Sequence, residues 1–328
     1  MQLPLSVLDL SPVGAGVAPS QAIRESIELA RTADGLGYTR YWFAEHHNMA
    51  NIATSAPEIL IAQAAAVTRR IRLGAGGMMV PNHAPLHIVE VFRTLEALHP
   101  GRIDLGLGRA PGTDPVAAAA LQRPDREVNH QLAELLAFER GEFPVSHPFA
   151  RIVAMPSDAP IGQIWMLGST LAGASIAAQL GLPYAIAGHF AMRQAADAIA
   201  HYRARFQPSA ALREPYAILA VTAICAETDE AALRLAAPVR VAVVNNRTGR
   251  RAPIPTVEAA MAHEFTAEER AIADEFFTGA AIGSPDAVAA RLRALARETG
   301  AHELMLSTLV PELAARQRAL QLIADAMA

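Results

Sequence analysis

The stretch Tyr41 to Asn48, YWFAEHHN, decides the fold: an apolar, strand-like run ends abruptly in a carboxylate and two imidazoles. In a barrel of alternating strands and helices, side chains at the C-terminal ends of the strands line the catalytic face, while strand interiors serve packing. A polar cluster at such a position calls for a further set of strand–helix units in the rest of the chain.

Short β-like runs do alternate with longer segments of helical period, the pattern of a parallel sheet with crossover helices. Strands are expected near residues 3–10, 39–45, 71–75, 102–107, 163–167, 183–188, 216–225 and 303–308. Between them, Ser284 and Pro285 open a helix that carries Val288, Leu292 and Leu295 on one face and stops at Gly300. Ile23, Ile27 and Ala30 form a comparable stripe after Pro19. Eight units in 328 residues favour a (β/α)8 TIM barrel over a doubly wound sheet, whose first turn would carry a glycine-rich dinucleotide fingerprint that GAG at residues 14–16 does not match. The chain reads as one domain, residues 1–328. One connection departs from the regular spacing: residues 238–282, before the eighth strand, form a long insertion. Its segment NNRTGRRAPIPT, with Arg247, Arg250 and Arg251, reads as loop, either a mobile lid that meets an anionic ligand or a solvated surface excursion.

A net charge of −4 without any basic block argues against nucleic acid as partner, since a polyanion demands clustered Lys and Arg. Cys225 is the single cysteine, which rules out an intramolecular disulfide and a cysteine-rich metal site and fits a reducing compartment. The opening MQLPLSVLDLSPVGAG has no positively charged leader and is broken by Pro12, so it reads as a strand rather than a signal peptide. No apolar run of membrane-spanning length is present, and the expected location is the cytoplasm.

Four segments carry groups suited to chemistry. His46 and His47 point to opposite faces of a strand, so they do not grip one ion and no metal site is expected; a pocket-facing His46 has a pKa range suited to acid–base work. Gly74, Gly76 and Gly77 interrupt the end of the third strand, where a backbone without side chains approaches a flat ligand closely or simply turns. Arg109 follows the fourth strand in GRIDLGLGRAPGTDP, and a guanidinium there suits a phosphate. Gly168, Ser169, Thr170 and Gly173 lead into a helix whose start offers free N–H groups to an anion or receives an ordinary side-chain cap.

Taken in order, AEHHN, GAGGMMVPNHAP, GRIDLGLGRAPGTDP and GSTLAG resemble the bacterial luciferase-like flavin-dependent monooxygenases, closest to the single-chain alkanal monooxygenase type. LPLSVLDLSPV at the start and LGLPYAIAGHF later extend the resemblance over most of the chain. It implies reduced FMN at the C-terminal face of the barrel, supplied by a separate flavin reductase, and oxygenation of a small, largely apolar substrate, an aldehyde among the candidates. It assigns His46 as the active-site acid or base, with Glu45 beside it in the catalytic set and supporting the strand end, and Gly76 and Gly77 as a bulge with a non-prolyl cis peptide behind the flavin ring. Arg109, Ser169, Thr170 and the backbone near Gly173 become the phosphate cradle, and the long insertion becomes a mobile lid. His189 is a second imidazole candidate at the same face, and a homodimer is the expected assembly. Two other readings stay open: a deazaflavin-dependent oxidoreductase, and a non-catalytic flavin-binding protein of the same fold.

Overall fold

The computed structural model describes residues 3–121 and 127–328. Eight parallel strands close a barrel: β1 (Leu5–Asp9), β2 (Arg40–Phe43), β3 (Arg72–Met79), β4 (Ile103–Gly108), β5 (Gln163–Gly168), β6 (Tyr184–Ile186), β7 (Ala217–Cys225) and β9 (Glu303–Ser307). They pair in the cycle β6-β5-β4-β3-β2-β1-β9-β7, with β7 returning to β6, and a short strand β8 (Ala281–Gly283) adds to the upper end of β7. Helices cover the outside, so this is a TIM barrel.

Strand alternation sorts the YWF run into two environments. Tyr41 and Phe43 face outward, into the layer between barrel and helices, where they pack with Leu73, Leu105 and Ile61. Trp42 and Ala44 face the barrel interior with Leu8, Trp165, Ile218 and Met305. Trp42 and Trp165 meet edge to face, centroids 5.3 Å apart. Beneath them, toward the strand N-termini, the barrel is closed by charge. Arg40 bonds Asp104 at 2.7 Å and Glu303 at 3.2 Å, Arg72 reaches Asp104, and Tyr216 and Ser6 donate to Glu303. A buried ion is costly unless paired and hydrogen-bonded, and each carboxylate here has several donors. The polar plug leaves the opposite, C-terminal mouth as the open end.

Helix α1 (Pro19–Gly35) buries Ala22, Ser26, Leu29, Ala30 and Ala33, with Ile23 and Ile27 only partly covered. The buried stripe is therefore rotated from the one expected, because small residues let the helix lie close to the strands. Helix α11 (Pro285–Thr299) starts at its proline and ends on Gly300 in the left-handed conformation, φ +71°. Strand β3 runs further than expected, through Met79, since β4 accepts it again after a register shift between Gly76 and Met78.

The insertion needs correction. Residues 238–282 are mostly helical rather than loop: α8 (Asp229–Arg247) continues through Pro238, Asn245 and Asn246, and α9 (Val257–Met261) and α10 (Ala267–Phe277) follow. Burial of Val239 and Val243 against the barrel mouth outweighs the local signals of Pro and Asn. Within NNRTGRRAPIPT, residues 248–256 do form loop, and Ile254 is bridged to Gly14 after β1. Among the described residues, no helix is long and apolar enough to cross a membrane.

Candidate active site

A cavity of about 500 Å³ opens at the C-terminal mouth, between the ends of β1 to β7. Its floor is Leu8, Trp42, Ala220 and Met305; Gly76 and Gly77 form one wall, and Arg109, Ser169 and Thr170 lie at the rim. The peptide between Gly76 and Gly77 is cis. A Cβ at Gly76 would stand 2.7 Å from Leu8 Cδ1, and one at Gly77 2.8 Å from the Gly106 carbonyl oxygen. Both positions therefore exclude any side chain, and bare backbone is what borders the cavity there.

Arg109 leaves the end of β4 with its Nε buried and, among the described residues, without a hydrogen-bond partner. Facing it, helix α6 (Leu171–Leu180) begins with Thr170 as N-cap residue, but no side chain caps the helix, so its first N–H groups and both exposed hydroxyls are uncommitted. The alternative of ordinary capping does not hold. Gly173 does not line the cavity. It lies just behind the rim, where a Cβ would meet Gly168 Cα at 3.2 Å and Arg109 Nη2 at 3.7 Å, so its part is to let α6 approach the strand end closely.

Trp42, Ala44 and His46 follow one another on the inward face of the second strand and its exit, which brings the His46 ring to the cavity. Its Nδ1 is buried without a partner. Burial pushes the His46 pKa down to about 4 against the raising effect of nearby Glu45, so the imidazole is neutral near pH 7. His189, in the first turn of α7 (Gly188–Arg205), borders the same cavity; burial and then the neighbouring His46 lower it to about 4 as well.

Glu45 and His46 part company at the strand exit. Glu45 points away from the cavity and is fully buried. Its carboxylate accepts from Met79 N at 2.7 Å, Asn82 Nδ2 at 2.8 Å and the rings of His83 and His47 at 3.0 Å. Burial opposes its charge, yet the bonds from His83, Met79 and Asn82 prevail and hold it below the usual carboxylate range. His83 is conversely raised, as its bond to Glu45 outweighs its own burial. Glu45 is thus a positioning residue: it anchors the exit of β3, and with it the Gly76–Gly77 wall. Asn82 and His83 were absent from the sequence-derived site, although both stand in the quoted run GAGGMMVPNHAP.

Two of the insertion's arginines have partners away from the rim at Arg109. Arg250 pairs with Glu269 of α10, and Arg251 pairs with Asp114 at 3.0 Å and bonds Asn48 at 3.3 Å. Arg251 thereby fastens residues 248–256 to the loops after β2 and β4.

The closed parallel barrel thus carries a glycine-walled cavity at its C-terminal mouth, with a cationic rim and a neutral imidazole beside it. The chain belongs to the luciferase-like monooxygenase family, whose model matches residues 3–303. Similar proteins are YvbT of Bacillus subtilis (strain 168), 40% identical over 324 residues covering 98% of this chain and 96% of that one, and the luciferase-like monooxygenase of Escherichia coli (strain K12), 38% identical over 326 residues with coverages of 98% and 96%. The crystal structure of apo-MsnO8 superposes with a TM-score of 0.87 at 36% identity, covering 99% of this chain and 98% of that one. Likeness of fold alone extends to the FMN complex of the oxygenating constituent of 3,6-diketocamphane monooxygenase (TM-score 0.71, 19% identity, coverages 99% and 97%). It extends equally to an F420-dependent secondary alcohol dehydrogenase (TM-score 0.69, 13% identity, 100% of both chains).

Proposed function

We propose that this protein is an FMN-dependent monooxygenase that receives reduced FMN from a separate reductase and oxygenates a small, largely apolar substrate with dioxygen. The observation that carries the reading is convergence: the bare backbone of Gly76 and Gly77, the unpartnered guanidinium of Arg109, the uncapped start of α6 and the ring of His46 border one cavity of about 500 Å³. The donor set fits the cofactor. Arg109, Ser169, Thr170 and the α6 N–H groups suit a phosphate, and the apolar floor with a side-chain-free wall suits a fused ring.

The chemistry that bound reduced FMN supplies is two electrons and the activation of dioxygen, one oxygen atom entering the substrate and the other leaving as water. The chain's own residues do the rest. Leu8, Trp42 and Met305 keep the ring face dry. The neutral His46 ring accepts or donates a proton at its cavity-facing side. Glu45 holds the glycine wall in register through Met79, Asn82 and His83.

A homodimer and the cytoplasm as the site of action belong to the same reading. The test is oxygen consumption with reduced FMN, in air and with an aldehyde panel, beside turnover with a deazaflavin without oxygen. His46→Ala is expected to lower turnover by about 10²–10⁴-fold while FMN affinity holds. Turnover only with the deazaflavin would replace FMN by that cofactor, and flavin binding without oxygen use in wild type would leave a binding protein.

A further inference from the structure

A second, smaller cavity of about 150 Å³ adjoins the first and shares Leu10, His46, His189 and Phe190 with it. Its walls are apolar: Met49 and Ile52 follow β2, Val239 and Val243 come from α8, and Phe276 from α10. Against this background stand three hydroxyls, of which that of Thr308 accepts from Val310 N at 3.2 Å. Thr222 on β7 and Ser307 on β9 are Cα partners in the parallel ladder, one inward-facing layer above Ala220 and Met305. They are 4% and 6% exposed, and among the described residues neither side chain has a protein hydrogen-bond partner.

Other buried hydroxyls of this chain do not behave so. Ser6 donates to Glu303, Ser11 and Ser26 bond each other at 2.7 Å, Thr54 donates to Leu10 O, and Thr68 and Thr299 bond the carbonyl four residues back. A cavity-lining hydroxyl without a protein partner is left to solvent, and a bound ligand engages it by supplying an oxygen. Two such donors on neighbouring strands match an oxygen with two lone pairs. Among the described residues, Arg247 is the one cation bordering this cavity, and it is exposed at its edge, so a neutral oxygen suits the buried part better than a carboxylate.

We propose that Thr222 and Ser307 are the specificity-determining pair for the substrate: their hydroxyls hold the oxygen of a compact carbonyl compound whose hydrocarbon part packs against Val239, Val243 and Phe276. This rests on the flavin reading of the larger cavity and names the substrate class for it. A cavity of about 150 Å³ accepts a molecule on the scale of benzene. A short or cyclic carbonyl compound of about six carbons therefore fits, and a long-chain alkanal does not.

The test uses the purified protein saturated with FMN and measures binding of cyclohexanone, methylcyclohexane and cyclododecanone by calorimetry. Cyclohexanone is expected to bind about ten-fold more tightly than methylcyclohexane, and cyclododecanone not to compete. Thr222→Val and Ser307→Ala should each weaken cyclohexanone by about 3- to 10-fold without weakening the hydrocarbon, while Thr222→Ser retains wild-type affinity. Equal affinity for ketone and hydrocarbon, indifference of the ketone to both substitutions, or tight binding of cyclododecanone would each overturn the proposal. FMN affinity is measured first: its failure strikes the flavin reading, and the same ketone series on flavin-free protein still decides the role of the hydroxyl pair.

Discussion

Replacing His189 with glutamine should make the protein less sensitive to acid, because the native imidazole is held neutral in a place where the unfolded chain would readily protonate it. The ring is 9% exposed, its Nδ1 has no partner, and its pKa falls from 6.5 to about 4 through burial and the neighbouring His46. For a base whose folded pKa is depressed, the full stability is present above the unfolded value of 6.5 and is lost progressively as pH falls toward the folded value. Linkage over that window gives a loss of about 2 kcal/mol between about pH 7 and pH 5 from this one group. Glutamine keeps a polar, uncharged side chain of similar reach and removes the titration. Urea unfolding of both proteins at the two pH values isolates the term, since the other titrating groups cancel in the difference. With a slope near 2 kcal/mol per M, the wild-type midpoint should fall by roughly 1 M more than that of the variant. A wild-type-minus-variant difference that stays constant across this range would show that the ring is solvated or already charged in the fold, and the electrostatic account of the paired imidazoles would fail with it.

Other outcomes follow from the same geometry. Arg109→Ala should weaken FMN by about 10- to 100-fold, the weight of charge-assisted bonds to a phosphate, and leave riboflavin nearly unaffected; equal losses in a fluorescence titration would remove Arg109 from the phosphate cradle. Glu45→Ala takes the acceptor from a buried hub and should cost about 3–5 kcal/mol in thermal or chemical unfolding. Its cost should be greatest in mild acid: the His83 contribution is lost as pH rises through that ring's raised pKa, and the Glu45 contribution as pH falls through its lowered one. Gly77→Ala drives a Cβ to within 2.8 Å of the Gly106 carbonyl and 3.1 Å of Leu167 Cδ1, so backbone must move at the cavity wall. A loss of about 1–3 kcal/mol of stability together with weakened FMN is expected, and unchanged flavin binding would count against the wall as a ring contact.

Local pattern was enough for the barrel and for the residues that meet at its mouth. The period of two in YWFAEHHN separates Trp42, Ala44 and His46 from Tyr41, Phe43 and Glu45, and a strand keeps that alternation whatever surrounds it. The same alternation places Glu45 on the outward face with Phe43. Glycine runs and an arginine at strand ends are likewise visible in the chain, because backbone freedom and charge are properties of the residue itself.

What only the tertiary structure decided depends on neighbours distant in sequence. The insertion is mostly helical because Val239 and Val243 of α8 bury against the barrel mouth, a gain that local Pro and Asn signals do not register. Arg250 and Arg251 are spent on Glu269, Asp114 and Asn48, partners up to 203 residues away. Thr222 and Ser307, 85 residues apart in the chain, become neighbours only when β7 and β9 pair side by side, and the lack of a partner for their hydroxyls is a property of the closed cavity rather than of either strand.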